Sequence, residues 1–302
     1  MTRNSGDALE AFSQALAARA AAARVLVAEI RTANRGFRSA TVWRPGILVT
    51  SEQSLPKAES YDVTLSDVVR VAATPVGRDP GTNVAVLKFD GAGSYTLPGR
   101  GEAQVGAIAL AYGADGRGGI AAHIGIVSAV GPEWRSRAGG KIDSRVNLDI
   151  AVTTHDDGGP VLDASGALLG ISTLGHGDTV LAIPPETVER SVDALLAHGR
   201  VERGWLGVAL QPVAIPDAWR ETAAAKSGLM VMSTVADGPA AAAGLLAGDI
   251  LLSLDGAPAT HVRQLAERLG SDSVGRTIEI GALRSGTRVP LRATVAARPA
   301  DG

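Results

Sequence analysis

Short apolar runs separated by glycine, proline and aspartate fill the chain from about residue 38 to residue 183, and they constrain its fold more than any other feature. The runs are TVWRPGILVTS, YDVTLSD, VRVAATPVG, NVAVLKFD, AIALAYG, AAHIGIVSAVG, ALLGISTLG and VLAIP. Runs this short, with turn residues between them, are typical of antiparallel strands and too brief for most helices. This part of the chain is therefore predicted to be a β barrel or sandwich.

The N-terminal segment 7–31 is rich in alanine and has a different texture. Its bulkier apolar side chains recur at helical spacing, at Leu9, Phe12, Leu16 and Ala20. This pattern predicts a helix that packs as an arm against another element or subunit. The segment lacks tryptophan and a cationic stripe, so packing is favoured over attachment to a membrane surface.

A second helix and a second β-containing unit follow the barrel segment. Pro184-Pro185 is typical of a helix start, and Gly199 of a C-cap. One face of this helix is expected to carry Val188, Val192, Leu195 and Leu196. The later unit begins near Arg203 and contains the strand-like runs GWLGVAL, GLMVMSTV and GDILLSLDG. It ends with a helix at about 260–269 and a strand pair joined at Ser285-Gly286.

Composition excludes several classes of protein. The 302 residues suffice for two domains, and 45% of them are hydrophobic, which rules out wholesale disorder. Lys and Arg number 29 against 31 Asp and Glu, so the chain has no basic field for nucleic acid. Because cysteine is absent, there can be no disulfide, thiolate metal site or cysteine nucleophile. No signal peptide and no membrane-spanning run is recognised, which predicts a cytoplasmic protein.

Several short motifs, in one consistent order, resemble the HtrA (Deg-type) family of serine proteases. They are GILVT, VTLSD, VGRDP, VAVLK, GIVSAVG, GGPVLDASGALLGIST, RGWLGV and AGLLAGDILLSLDG. The resemblance covers roughly 35–297 and implies a mainly β protein, a trypsin-like double β-barrel followed by an α+β PDZ domain. The expected domains are a helical arm at 1–34, the barrels at 35–184, a linker helix at 185–202 and the PDZ domain at 203–297.

The three catalytic positions of the family do not match. Gln53 stands where the family carries its His, Asn83 where it carries its Asp, and Asp157 where it carries its Ser. A triad needs a nucleophile, a base that takes its proton and a group that orients the base. Glutamine cannot take up a proton near neutral pH, and asparagine cannot stabilise an imidazolium. The five histidines, at 123, 155, 176, 198 and 261, all lie too late in the chain to belong to the first barrel.

The oxyanion loop of the family also differs here, since its positions are His155, Asp156 and Asp157. The resemblance implies that backbone N–H groups of this loop would stabilise a developing oxyanion. A carboxylate at 4 Å would oppose that charge by about 4 kcal/mol at an effective dielectric of 20. We therefore predict a degenerate triad with no intact catalytic residue.

The same region contains residue types suited to other chemistry. His155, Asp156 and Asp157, with Glu52, are metal-ligand types, but no ligand-spacing motif supports a metal site. Ser51 and Ser54 flank the lost His position and are interpreted as ordinary turn serines. No metal and no cofactor is predicted.

The PDZ segment retains its binding features. The loop Gly204, Trp205, Leu206, Gly207 and Val208 resembles the family's carboxylate-binding loop, and a PDZ domain binds an extended peptide at a sheet edge. The later helix offers further apolar groove positions at Val262, Leu265 and Leu269, of which Leu265 and Leu269 are equally explained as core residues.

The sequence therefore predicts an inactive HtrA-like protein that binds peptide or protein C-termini through its PDZ domain. An active serine endopeptidase with an unrecognised catalytic set is the alternative, and a metal-dependent hydrolase the third hypothesis. The resemblance implies a homotrimer. No nucleic acid and no membrane span is expected.

Overall fold

The structure, a computed structural model, describes residues 5–33, 36–66, 69–91, 95–136, 138–175, 177 and 179–299. The chain forms two compact units. The first runs to Val201 and the second continues from Glu202, with Arg137–Gly140 counted in the second.

The first barrel is closed by six antiparallel strands in the order β1-β2-β3-β6-β5-β4. They are β1 Val27–Arg31, β2 Phe37–Arg44, β3 Ile47–Ser51, β4 Tyr61–Thr64, β5 Arg70–Asp79 and β6 Val84–Phe89. Pairing of Ile30 with Val63 closes the ring. Its centre is filled by buried aliphatic side chains such as Leu48 and Leu87, as expected from a sequence with only 3% aromatics.

The second barrel is also closed by six antiparallel strands, in the order β11-β14-β13-β12-β7-β8. The strands from β7 onward are β7 Ile108–Ala114, β8 Ile120–Gly131, β9 Trp134–Arg135, β10 Lys141–Ile142, β11 Arg145–Asp149, β12 Pro160–Asp163, β13 Leu168–Leu174 and β14 Val180–Ile183. The short strands β9 and β10 form a separate hairpin. Val127, Val161 and Leu169 are among the buried residues of this barrel.

The N-terminal helix α1, Ser5–Ala23, is shorter than the sequence pattern suggests. A 3₁₀ turn at Arg24–Leu26 follows it, and Val27–Arg31 is strand β1 rather than helix. The apolar residues of VAEIR are used in pairing with β2 and in filling the barrel, which outweighs the helical tendency of the preceding alanines. The helical arm therefore ends before residue 31.

Helix α2, Pro185–His198, belongs to the first unit, where it packs against β5, β6 and β13. Val188, Val192 and Leu195 are fully buried in the core that the two barrels share. Leu196, expected on the same face, is 41% exposed. Gly199 ends the helix with φ 67°, a conformation that glycine adopts without strain.

The second unit is a sheet in the order β16-β17-β18-β20-β21, with β19 beside β18 and a separate pair β15-β22. These strands are β15 Gly204–Trp205, β16 Val208–Ala214, β17 Ser227–Thr234, β18 Ile250–Leu254, β19 Ala257–Pro258, β20 Thr277–Arg284, β21 Thr287–Thr294 and β22 Ala296–Ala297. Its helices are α3 Asp217–Ala223, α4 Pro239–Ala242 and α5 Val262–Arg268.

The two barrels, the later α+β unit and the N-terminal helix confirm the predicted fold class. Within the part of the chain that the structure describes, none of the helices combines the length and the apolarity needed to cross a bilayer.

Candidate functional site

Gln53, Asn83 and Asp157, the residues that the sequence analysis assigned to the three triad positions, lie together in the structure. Gln53 follows β3, Asn83 precedes β6 and Asp157 lies in the turn before β12. Pairing of Ser51 with Val84 brings the ends of β3 and β6 together. The Gln53 Nε2 atom lies 3.2 Å from Asp157 Oδ2, and the Gln53 backbone N–H donates to Asn83 Oδ1 at 2.8 Å.

Asp157 is the buried centre of this cluster, with 1% of its surface exposed. Its Oδ2 atom accepts hydrogen bonds from Ser51 Oγ at 3.0 Å and from Gln53, and its Oδ1 atom accepts one from the Leu174 N–H at 3.3 Å. Burial raises the pKa of Asp157, and these hydrogen bonds offset only part of that effect. No described cation lies within ion-pair distance of the carboxyl group.

Asn83 uses both ends of its amide. Its Nδ2 atom donates to Ser51 Oγ at 3.0 Å and to Thr173 Oγ1, while its Oδ1 atom accepts from the Gln53 N–H. Because Ser51 Oγ accepts from Asn83, its own O–H group is available to donate to Asp157 Oδ2. An aspartate at position 83 could not donate, and would add a second carboxylate to the cluster. Asn83 has φ 59°, which asparagine tolerates better than most residues.

Gln53 covers Asp157 from the solvent side. Besides Asp157, its Nε2 group contacts Thr173 Oγ1 at 3.3 Å and the Leu174 carbonyl at 2.8 Å. The carboxamide thus joins the first barrel to the last residues of β13 in the second. A histidine at this position would need a nitrogen with a free lone pair to act as a base. The side-chain nitrogen of Gln53 is only a donor, so it cannot take that role.

The loop before Asp157 is pinned in place by its own side chains. The His155 N–H donates to Thr153 Oγ1 at 3.2 Å, so this candidate oxyanion donor already has an acceptor. The His155 carbonyl accepts from Ser39 Oγ at 2.6 Å, and the His155 ring stacks on Phe37 with centroids 4.4 Å apart. These contacts hold the loop on the first barrel and occupy the His155 N–H group.

Asp156 points away from the triad positions. Its Oδ2 atom accepts from the N–H and hydroxyl of Thr153, and its Oδ1 atom lies 3.1 Å from His123 Nε2. The orientation of the His123 ring does not make that approach a hydrogen bond. Among the described residues no hydroxyl is bonded to His123, and no group of three or more His, Asp or Glu could hold a metal ion.

The Ser51 interpretation from the sequence is wrong, because this residue ends strand β3, is fully buried and donates to Asp157. Ser54 does lie in the following turn, where its hydroxyl contacts the Ser51 carbonyl. Thr173 and Leu174 are members of the network that sequence reasoning missed. The only feature of the sequence that indicates their role is that the segment 172–174 ends a strand that must return to the cleft.

The loop at Gly204–Val208 combines a tight turn with unpaired donors. Gly207 has φ 70°, and a Cβ there would lie 2.9 Å from the Trp205 ring, so only glycine fits. Among the residues that the structure describes, the N–H groups of Leu206 and Gly207 have no acceptor. Two adjacent free N–H groups in such a turn are a general feature of anion-binding loops.

Strand β16 follows this loop and is the edge of its sheet, since its only described partner is β17. Helix α5 packs beside it. Val208, Leu210 and Leu269 are half-buried against the core, whereas Val262 is 41% exposed. Leu206 and Leu265 are buried core residues, so they can form at most the floor of a groove.

Comparison with known proteins agrees with this architecture. The family model described as a trypsin-like peptidase domain matches residues 38–171, and the PDZ domain model matches residues 204–295. The solved HtrA-type protease AlgW with tripeptide is 31% identical, with a TM-score of 0.67 over 95% of this chain and 99% of that one. This chain belongs to the HtrA family. The serine endoprotease from Yersinia pestis is also similar, with 27% identity and a TM-score of 0.70 over 95% of this chain and 98% of that one.

Curated relatives match most of the chain. A probable periplasmic serine endoprotease, DegP-like, from Brucella suis biovar 1 (strain 1330) is 34% identical over 267 residues, which cover 85% of this chain and 51% of that protein. A protein of the same name from Bartonella henselae is 33% identical over 265 residues, covering 85% and 52%. The chain thus spans about half the length of these relatives.

These relatives correct the predicted location. The sequence predicted a cytoplasmic protein, but the HtrA proteins that it matches are named periplasmic. The prediction is wrong because it rested only on failing to recognise an export signal, while a net charge of −2 and an absence of cysteine suit either compartment.

Proposed function

We propose that this HtrA-type protein is catalytically inactive and acts by binding the C-termini of peptides or proteins through its PDZ domain. The observation that carries the proposal is the buried Asp157 at the nucleophile position, covered by Gln53. The family fold is retained, and the chemistry of its cleft has been replaced by a closed hydrogen-bond network.

Inactivity is supported first by the groups available for proton transfer. Attack by a hydroxyl requires a neighbouring base whose free lone pair can take the proton. Ser51 donates to the Asp157 carboxyl group, but the Ser51 side chain is fully buried and so cannot reach a substrate peptide bond. His123, the histidine beside the loop, has no hydroxyl bonded to it among the described residues.

The second support is the state of the oxyanion loop. The His155 N–H is used by Thr153 Oγ1, and Asp157 places a buried carboxyl group at the position of the nucleophile. Removing one oxyanion donor alone costs about 10²–10³ in turnover. Loss of the triad costs on the order of 10⁶, so both together leave little measurable hydrolysis.

Peptide binding is supported by the second unit. The unpaired N–H groups of Leu206 and Gly207 suit a terminal carboxylate, and the free edge of β16 suits strand addition. Val208 and Leu210 project toward the core side, where α5 provides an apolar wall for the last side chain. Affinities for such short extended ligands are expected to be micromolar, roughly −8 kcal/mol.

An active endopeptidase is the second candidate, favoured by the names of the relatives, which are serine endoproteases. Those names also favour a periplasmic location. A homotrimer stays a prediction: Phe12 on α1 is 46% exposed and free to contribute, whereas Phe37 is stacked on His155.

A serine-directed fluorophosphonate probe and a peptide titration together test the proposal. The full chain should remain unlabelled, with and without a chelator. It should bind free-acid peptides that end in an apolar residue, and amidation of the C-terminus should weaken binding because the loop loses its anion. Labelling that disappears in a single Ser→Ala variant would refute inactivity. Equal binding of acid and amide would refute carboxylate capture.

A further inference from the structure

We infer that a peptide bound in the groove of the second unit forms a full set of backbone hydrogen bonds with β16 only over its last three residues. Pro212 has no N–H, so the next donor along the edge of β16 is missing. This inference rests on the proposed peptide binding and names the residue that limits it. The protein should therefore recognise short C-terminal motifs. Longer ligands should gain little additional affinity from backbone hydrogen bonds.

The register of β16 shows which backbone groups face the free edge. In an antiparallel pair, residues alternate between facing their partner strand and facing away from it. The Val235 N–H donates to the Gly207 carbonyl, and the Ile215 N–H donates to the Lys226 carbonyl, so the Gly207 carbonyl and the Ile215 N–H face β17. The irregularity near Ala209 adds its extra residue to β17, not to β16, so the alternation along β16 is unbroken. Val208, Leu210 and Pro212 therefore direct their backbone groups toward the free edge.

Pro212 is exposed and lies in the middle of this edge. It pairs with Leu229 without needing an N–H, because its backbone faces away from β17. Proline is tolerated in a sheet at this type of position. The edge thus offers both a donor and an acceptor at Val208 and at Leu210, but only an acceptor at Pro212.

The loop sets the register of an incoming strand. A carboxylate on the Leu206 and Gly207 N–H groups places the last ligand residue opposite Val208, and the third from last opposite Leu210. The fifth from last then lies opposite Pro212, and its carbonyl meets no donor.

Side chains opposite one another share a face of the sheet, so the last and third-from-last side chains point with Val208 and Leu210 toward the core and α5. The Leu269 carbonyl lies close to Gly204, so the C-terminal end of α5 is near the carboxylate loop and Val262 lies farther along the groove. Apolar residues are expected at both ligand positions.

Two acetylated peptides test the inference in the full chain: Val-Ala-Leu and the same sequence extended by three N-terminal alanines. In Pro212→Ala the new N–H should raise affinity for the longer peptide about two- to tenfold, the value of one hydrogen bond. Affinity for the tripeptide should not change. Pro258→Ala, at an exposed proline in β19, is the matched control and should alter neither.

Hydrogen exchange gives a second readout that does not depend on affinity. The amide at position 212 in Pro212→Ala should be protected by the longer peptide and not by the tripeptide. If Pro212→Ala strengthens both peptides equally, or neither, and the new amide stays unprotected, the ladder inference is wrong while peptide binding stands. If neither peptide binds the unaltered chain, the proposed binding function fails as well.

Discussion

Removing the hydroxyl of Ser51 should destabilise the first unit by an amount that depends on pH. Ser51 is fully buried and donates to Asp157 Oδ2 at 3.0 Å. A buried hydrogen bond to a charged group contributes about 1.5–3 kcal/mol, and one between neutral groups about 1 kcal/mol. The loss in Ser51→Ala should therefore be about 2–3 kcal/mol while Asp157 is ionised, and near 1 kcal/mol once it is protonated.

The direction with pH follows from the raised pKa of Asp157. The folded state holds this proton to a higher pH than the unfolded chain, whose value is near 3.8. Stability is therefore unaffected by this group below the unfolded pKa, and it falls as pH rises through the window up to the folded pKa. Loss of the Ser51 donor raises the folded pKa further, so Ser51→Ala should cost more near pH 7 than near pH 4.

Urea unfolding of the first unit, followed by hydrogen exchange over residues 36–66 and 153–174, measures this cost. Ser172→Ala is the matched control, because Ser172 is equally buried but donates to the backbone carbonyl of Asp156. Its cost should be the same near both pH values. A Ser51→Ala cost that does not change with pH, or a Ser172→Ala cost that changes equally, would refute a buried, titrating Asp157.

Two further predictions concern the second unit. Val262→Asp, at an exposed site on α5, should weaken binding of peptides with apolar ends while the circular dichroism spectrum stays unchanged. Leu265→Asp should abolish peptide binding. Peptide titrations that are unaltered in both variants would contradict a binding groove beside α5. Burial opposes ionisation of Asp249, but hydrogen bonds from Arg284 and the Leu246 N–H outweigh it and lower the pKa of Asp249. Its stabilisation is therefore present above the unfolded value near 3.8 and lost on further acidification, so Asp249→Asn should lower the unfolding midpoint near pH 7 and have little effect near pH 2.

The strands were predictable because short apolar runs between turn residues identify them, but this pattern fits a barrel or a sandwich, and the double barrel was predicted from the family resemblance. The start of the first barrel was not predictable in the same way. Val27–Arg31 follows nineteen helical residues without a breaker, and only its pairing with Phe37–Arg44 turns it into a strand. The pairing with this later strand outweighs the local preference for helix.

The family resemblance assigned Gln53, Asn83 and Asp157 to the catalytic positions, and the structure brings these three residues together. The network that joins them could not be predicted. The sequence around Ser51 indicates a turn. In the structure the residue ends a buried strand, and its role depends on Asp157, which lies 106 positions later in the chain. Pro212 was visible in the sequence, but its effect requires the register of β16.

The most direct test of the central claim is proteolysis of an unfolded protein such as reduced casein by the full chain. The triple variant Q53H/N83D/D157S, which places the triad residues back in the cleft, serves for comparison. We expect the unaltered chain to leave the casein uncleaved over a period in which an active relative would cleave it. Cleavage by the unaltered chain that is abolished by one Ser→Ala substitution would contradict the account.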